Sequence, residues 1–168
     1  MALVRILLAD EIKSWREFAS SLVRRDPSLE LICEVSDGLK AVRMAEKLEP
    51  SIVVLNIELP GLRGLQAGGW IRMLIPKTRI VFLAERLEAD IVQAAMKLGP
   101  GAYLLKSEAA RDLVAAIHAV ARGETFLSHQ LAARLTGGAK SNRQPRVTNL
   151  GLGFPPPPQG LAQPTANL

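Results

Sequence analysis

The sequence predicts an α/β fold in which a parallel sheet of five strands is covered by helices on both faces. Five apolar runs of four to seven residues, rich in Val, Ile and Leu, alternate within the first 130 residues with five stretches whose apolar residues recur at helical spacing. Strands that are apolar along their whole length are typical of a parallel sheet buried on both faces. The chain has 168 residues and 48% of them are apolar, which is enough for such a core.

The predicted elements follow in a regular order. The strands are Val4 to Ala9, Leu29 to Val35, Ile52 to Leu55, Ile80 to Ala84, and Ala102 to Leu105. Apolar residues spaced by three and four predict helices over 15–23, 41–48, 65–74, 91–96 and 113–121. Turn residues stand at the junctions, namely Asp37-Gly38, Pro50, Pro60-Gly61, Pro76 and Gly99-Pro100-Gly101.

Charge and proline content divide the chain near residues 130 to 136. Residues 1–130 carry 17 basic and 16 acidic side chains, whereas residues 131–168 carry four basic side chains and no acidic one. The second segment also holds six of the eleven prolines and has no helical period. We therefore predict a folded domain over 1–130 and a disordered, basic tail rich in Pro and Gly over 131–168, without a DNA-binding domain.

Several classes of protein do not fit this composition. No run approaches the roughly 20 apolar residues that cross a membrane, and the first residues lack the layout of a signal peptide, which predicts a cytoplasmic protein. The single cysteine, Cys33, excludes an internal disulfide and is expected to be a small buried hydrophobe. His118 and His129 lie far apart in sequence and have no evident third partner, so they do not predict a metal site.

Polar side chains follow four of the predicted strands, where an open parallel sheet places its site. Asp10 and Glu11 follow the first strand, Asn56 the third, Glu85 the fourth and Lys106 the fifth, and of these Asp10, Glu11, Asn56 and Lys106 are expected to converge on one crevice. Carboxylate and amide oxygens suit a hard cation such as Mg²⁺, and an ammonium group offsets carboxylate or phosphate charge. A simpler interpretation is that Asp10 or Glu11 only caps the first helix.

Four segments in the same order resemble the response regulator receiver domain of two-component signalling. They are ILLADE at 6–11, VVLNIELPG at 53–61, GPGAYLLK at 99–106 and AVARGETFLS at 119–128. The last is similar to the end of receivers in the NarL/FixJ-like subfamily, which usually precede a helix-turn-helix domain. The resemblance covers about residues 3–130 and implies a flavodoxin-like, doubly wound (βα)5 fold of three layers.

The resemblance also implies roles for individual residues. Asp10 and Glu11 match the acidic pair, Lys106 the pocket lysine and Tyr103 the aromatic switch residue. The implied metal ligands are Asp10, Glu11, the residue at position 56 and the backbone carbonyl of Glu58. The side chain of Glu58 is expected to be a solvated loop acid, although a displaced phosphoacceptor is the alternative, and Tyr103 is expected to pack beside the fourth helix.

Two residues depart from the pattern of the family. Asn56 stands at the position of the phosphorylated aspartate, and Ala84 stands at the position of the switch Thr or Ser. An amide is not an anionic nucleophile, and alanine has no hydroxyl group to bind a phosphoryl oxygen. We therefore expect a receiver that is not phosphorylated, requires no cofactor and binds Mg²⁺ at most weakly.

The expected role is that of a signalling module without enzymatic activity. Its expected partner is another protein or a histidine kinase, and one of Trp15 and Phe18 is expected to pack inside while the other is a candidate contact for a homodimer or partner. Two alternatives stay open, a receiver phosphorylated on another acid and a transcriptional regulator that has lost its helix-turn-helix domain. The basic tail predicts at most weak, salt-sensitive attraction to DNA.

Overall fold

Six parallel strands form one sheet in the computed structural model, which describes residues 2–86 and 88–137. Their order across the sheet is β2-β1-β3-β4-β5-β6. The predicted fold class is confirmed, but the predicted number of strands is wrong by one because the sixth has only two residues, too few to show a sequence period. The strands are β1 (Val4–Ala9), β2 (Leu29–Val35), β3 (Ile52–Asn56), β4 (Arg79–Ala84), β5 (Ala102–Leu105) and β6 (Phe126–Leu127).

Helices connect successive strands, and all five predicted helices are present. Within the described part of the chain, no helix is both long and apolar enough to cross a membrane. A single 3₁₀ turn covers Lys106–Glu108 directly after β5. The helices are α1 (Lys13–Arg24), α2 (Gly38–Leu48), α3 (Gly64–Leu74), α4 (Ala89–Lys97), α5 (Ala109–Ala121) and α6 (His129–Gly137).

The helices form two layers with the sheet between them. Side chains of α1 and α5 pack on one face of the sheet, and side chains of α2, α3, α4 and α6 pack on the other. Strand β3 lies in the middle and is buried along its whole length. Because alternate side chains of each strand point to opposite faces, the continuous apolar strands supply both cores.

Aromatic residues of α1 divide as expected between the core and the surface. Trp15 is partly buried against the core formed with α5, whereas Phe18 is 39% exposed. The two rings meet edge to face with their centroids 6.3 Å apart. Cys33 is partly rather than fully buried, since it lies on the edge strand β2.

The end of the folded domain extends beyond residue 130. Helix α6 runs to Gly137, and its Leu131 is buried beside Tyr103 and Ala84. Residues 131–137, which the sequence assigned to the tail, therefore belong to the packed domain. The rest of the predicted tail, 138–168, lies outside the described residues.

A hydrogen bond joins the loop after α1 to α5. Asp26 Oδ2 lies 2.7 Å from His118 Nε2, and the hydroxyl and amide groups of Ser28 donate to Asp26 Oδ1 at 2.6 and 2.9 Å. The bonds from Ser28, followed by the contact with His118, lower the pKa of Asp26 to about 2. The partner of His118 could not be predicted from sequence, because Asp26 is 92 residues away.

We expect Asp26→Asn to lower the melting temperature at neutral pH and to lose this effect as the pH falls. A carboxyl group whose pKa is lowered by folding stabilises the native state above its unfolded pKa, near 3.8, and that stabilisation disappears as the pH falls through about 2. Thermal unfolding of wild type and variant between pH 7 and pH 2 measures the difference. Glu30→Gln, at an exposed acid of β2, is the control; a difference constant over this range would contradict the prediction.

Candidate functional site

The register of the strands brings the predicted site residues together at the carboxyl edge of the sheet. Ala9 pairs with Leu55, so the residues that follow them, Asp10 and Asn56, are neighbours. In the same way Ala84 pairs with Leu105, which places Glu85 and Lys106, the residues directly after β4 and β5, side by side. Four strands, three of which carry the predicted polar site residues, therefore contribute to one pocket.

Asp10 is the buried acid of this pocket. It is 0% exposed; its Oδ1 accepts the N–H of Ile12 at 2.9 Å, and its Oδ2 lies 2.6 Å from Lys106 Nζ. Ile12, not Asp10 or Glu11, is the N-cap of α1, so the alternative that these acids only cap the helix is wrong. Glu11 is exposed at the rim.

Lys106 is the cation of the pocket and is almost completely buried. Its side chain is 4% exposed, and its ammonium group contacts Asp10, lies 3.4 Å from Glu85 Oε1 and stands 4.8 Å from the centre of the Trp15 ring. A buried ammonium needs such partners because its desolvation costs several kcal/mol. The sequence did not identify Glu85 and Trp15 as its partners, although Glu85 directly follows a predicted strand.

Asn56 lies at the end of β3 and is 2% exposed. Its side-chain Oδ1 accepts the N–H of Glu58 at 3.3 Å, while the carboxylate of Glu58 is exposed, as expected for a loop acid. Gly64 allows the following loop to return closely onto β3, since a Cβ atom there would lie 1.9 Å from the carbonyl oxygen of Asn56. The loop is thus fixed against the pocket.

Ala84 and Tyr103 occupy the other side of the site. Tyr103 is buried, stacks on Phe82 with ring centroids 5.7 Å apart and donates its hydroxyl to the carbonyl oxygens of Ala95 and Gly99, at 3.0 and 3.1 Å. Burial raises the pKa of Tyr103. The predicted packing beside the fourth helix is confirmed, and the hydroxyl is bound to backbone of α4 and the residues after it.

A second cation, Arg16, fixes the turn that carries the acids. Its guanidinium group donates to the carbonyl oxygens of Asp10 and Glu11 at 2.7 and 3.2 Å. This orients the backbone between β1 and α1 and leaves the side chain of Asp10 directed toward Lys106. Sequence analysis missed Arg16, because an arginine on a helix has no distinguishing pattern.

The oxygen donors of the pocket do not suit a resident Mg²⁺ ion. Both carboxylate oxygens of Asp10 are engaged, Asn56 is neutral, and no group of three or more His, Cys, Asp or Glu side chains in residues 2–86 and 88–137 could hold a metal ion. Mg²⁺ favours several anionic oxygens and water in an octahedral arrangement. The weak metal site formed by Asp10, Glu11, Asn56 and the carbonyl of Glu58 stays a prediction.

Comparison with known proteins gives the family of this fold and site. The response regulator receiver domain family matches residues 6–118. The chain is 34% identical over 139 residues to the nitrate/nitrite response regulator protein NarL of Escherichia coli strain K12, covering 82% of this chain and 64% of that protein. It is 29% identical over 133 residues to the transcriptional regulatory protein LiaR of Bacillus subtilis strain 168, covering 79% and 63%.

A solved structure gives the same result. The two-component response regulator of the LuxR family from Aurantimonas sp. SI85-9A1 superposes with a TM-score of 0.77 at 29% identity, covering 81% of this chain and 97% of that one. The chain spans just under two thirds of the length of the two curated relatives. The family match spans the first three of the four segments that carry the resemblance, and the superposition agrees with the fold. The chain therefore belongs to the response regulator receiver domain family, in its NarL/FixJ-like subfamily, and is a receiver domain of two-component signalling.

Proposed function

We propose that this chain is an atypical receiver that works without phosphorylation and acts through contacts with another protein. The observation that carries the proposal is Asn56, which stands buried at the end of β3 where the family has its phosphorylated aspartate. The neighbouring acid, Asp10, already forms a direct ion pair with Lys106. The pocket is therefore electrostatically satisfied without a phosphoryl group.

The chemistry of the two altered positions supports this proposal. An acyl phosphate forms when an anionic carboxylate oxygen attacks phosphorus, and the amide of Asn56 offers a neutral oxygen and a delocalised nitrogen lone pair. Ala84 has no hydroxyl group that a phosphoryl oxygen could draw inward. Tyr103 keeps the aromatic ring that the resemblance implies, but it is buried with its hydroxyl bonded to the backbone and has no hydroxyl partner at position 84.

We expect the intact mass of the chain to stay unchanged after incubation with Mg²⁺ and acetyl phosphate. The physical reason is the absence of a carboxylate at position 56. Intact-protein mass spectrometry, with a phosphorylatable receiver as positive control, measures this. An added phosphoryl mass that is stable in acid and labile in alkali would contradict the proposal, and its loss in Glu58→Gln would identify the displaced acid.

Because the proposed function does not depend on phosphorylation, the chain is proposed to act by binding another protein directly. A protein partner or a histidine kinase is the proposed ligand, and a second copy of the chain is the other candidate. Phe18 and Ile12 expose apolar surface at and before α1 and are the candidate contact. We assign no enzymatic reaction to the chain.

A role in transcription is the second candidate, because relatives such as LiaR are named as transcriptional regulators. The described residues form the receiver fold with one added helix, and they contain no helix-turn-helix of their own. We therefore expect little DNA binding by this chain. Salt-dependent binding to duplex DNA that disappears when residues 136–168 are removed would favour the transcriptional role instead.

A further inference from the structure

Glu85 is an acid of the pocket that the proposed function does not use. It directly follows β4, and its partner Lys106 directly follows β5, so the pairing of Ala84 with Leu105 holds the two side chains next to each other. Glu85 Oε1 lies 3.4 Å from Lys106 Nζ. The side chain of Glu85 is 49% exposed, whereas that of Lys106 is 4% exposed, so Glu85 covers the solvent side of a buried cation.

Lys106 already has two carboxylate groups close to its ammonium group. Asp10 contacts the ammonium group from inside at 2.6 Å, Glu85 contacts it from outside, and the Trp15 ring lies 4.8 Å away. Two carboxylates thus face one ammonium. An incoming phosphate group would have to displace Glu85 and then lie close to the carboxylate of Asp10, which like-charge repulsion disfavours.

We propose that Glu85 is a built-in anion that occupies Lys106 in place of a phosphoryl group and closes the pocket to phosphate-like anions. The same contact ties the residue after β4 to the 3₁₀ turn after β5, and we expect it to hold the start of α4, which begins four residues further along the chain, in one position. This inference rests on the proposed function, because it takes the pocket to be one that works without phosphorylation. It adds that the carboxylate of Glu85 takes the place of the missing phosphoryl group.

The first test measures whether Glu85 holds the start of α4. The N–H of Val92 donates to the carbonyl of Glu88 at 3.0 Å, so its hydrogen exchange reports opening of the first turn of α4. In Glu85→Gln we expect this amide to exchange about two- to fivefold faster, the range for a partly exposed ion pair. The N–H of Ala67, in the first turn of α3, should be unaffected.

The second test measures access of an anion to Lys106. Excess inorganic phosphate should raise the melting temperature of Glu85→Gln above its value in sodium chloride of equal ionic strength, because phosphate binds the uncovered ammonium of the folded protein. Wild type should show no such rise. Glu58→Gln is the matched control, since it removes an exposed acid from the same edge of the sheet.

Either of two results would overturn the inference: unchanged exchange at Val92 in Glu85→Gln, or an equal effect of phosphate on wild type and variant. Failure of the proposed function is distinguishable from this. If wild type gains phosphoryl mass from acetyl phosphate while Glu85→Gln still loosens α4, the contact of Glu85 stands and phosphorylation independence fails. If wild type gains no mass and Val92 exchanges at the wild-type rate in the variant, only the role of Glu85 fails.

Discussion

Lys106→Met is expected to lower the free energy of unfolding by about 3–5 kcal/mol, the range for breaking a buried ion pair. The reason is Asp10, which is 0% exposed and would be left as a buried carboxyl group without the ammonium group now 2.6 Å away. Glu85 would lose its partner as well, but its exposed side chain can be solvated by water. Urea unfolding at neutral pH, followed by circular dichroism, gives the free energy.

Two further variants separate this effect from the loss of a long side chain. Lys106→Met combined with Asp10→Asn should recover most of the lost stability, because no unpaired charge is then left in the core. Lys77→Met, at an exposed position of the loop before β4, should change stability by no more than about 0.5 kcal/mol. A double variant as unstable as the single one would show that packing by Lys106, and not its charge, stabilises the pocket.

Asn56→Asp is expected to destabilise the metal-free protein by about 2 kcal/mol or more and to create a Mg²⁺ site. The new carboxylate would be buried beside Asp10, so mutual repulsion should raise at least one apparent pKa of the group. A carboxyl group whose pKa is raised by folding destabilises the native state at neutral pH, and this penalty disappears as the pH falls. Mg²⁺ should restore stability by binding the folded state, which thermal melting with and without Mg²⁺ measures.

The wild type is the control for this metal effect. If Mg²⁺ raises the melting temperature of the wild type as much as that of Asn56→Asp, the native pocket is not a weakened metal site. Asn56→Asp together with Ala84→Thr should in addition accept a phosphoryl group from acetyl phosphate, whereas Ala84→Thr alone should not. A double variant that binds Mg²⁺ but gains no mass would show that the pocket differs in more than these two residues, and Glu85 would be the next residue to change.

The sequence was sufficient for most of the fold because the strands are apolar without interruption. The predicted and observed limits agree at β1 (Val4–Ala9), β2 (Leu29–Val35) and β5 (Ala102–Leu105). Strand β6 (Phe126–Leu127) and helix α6 (His129–Gly137) were not predicted, since two residues show no period and the buried contacts of α6 come mainly from Leu131. Their place depends on tertiary packing rather than on local pattern.

The candidate site was also predictable from sequence only in part. Asp10, Asn56 and Lys106 could be placed from sequence, because each follows an apolar strand and parallel strands end at one edge of the sheet. The partners of Lys106 could not, because contact with Glu85 or Trp15 depends on strand register and on the path of α1. The hydrogen bond between Asp26 and His118 could not be predicted for the same reason, because it joins residues separated by most of the domain.

The two edges of the six-stranded sheet make the monomer resistant to aggregation through strand pairing. An open edge strand offers unpaired amide and carbonyl groups to another chain, and proteins blunt such edges with charge, irregular register or short length. On one side β6 offers only two residues to a neighbour. On the other, β2 carries exposed Glu30 and Glu34, and its register with β1 shifts between Ile6 and Leu7. Neither edge is a good template for a foreign strand, so we expect any association of this protein with itself or a partner to use its helical faces.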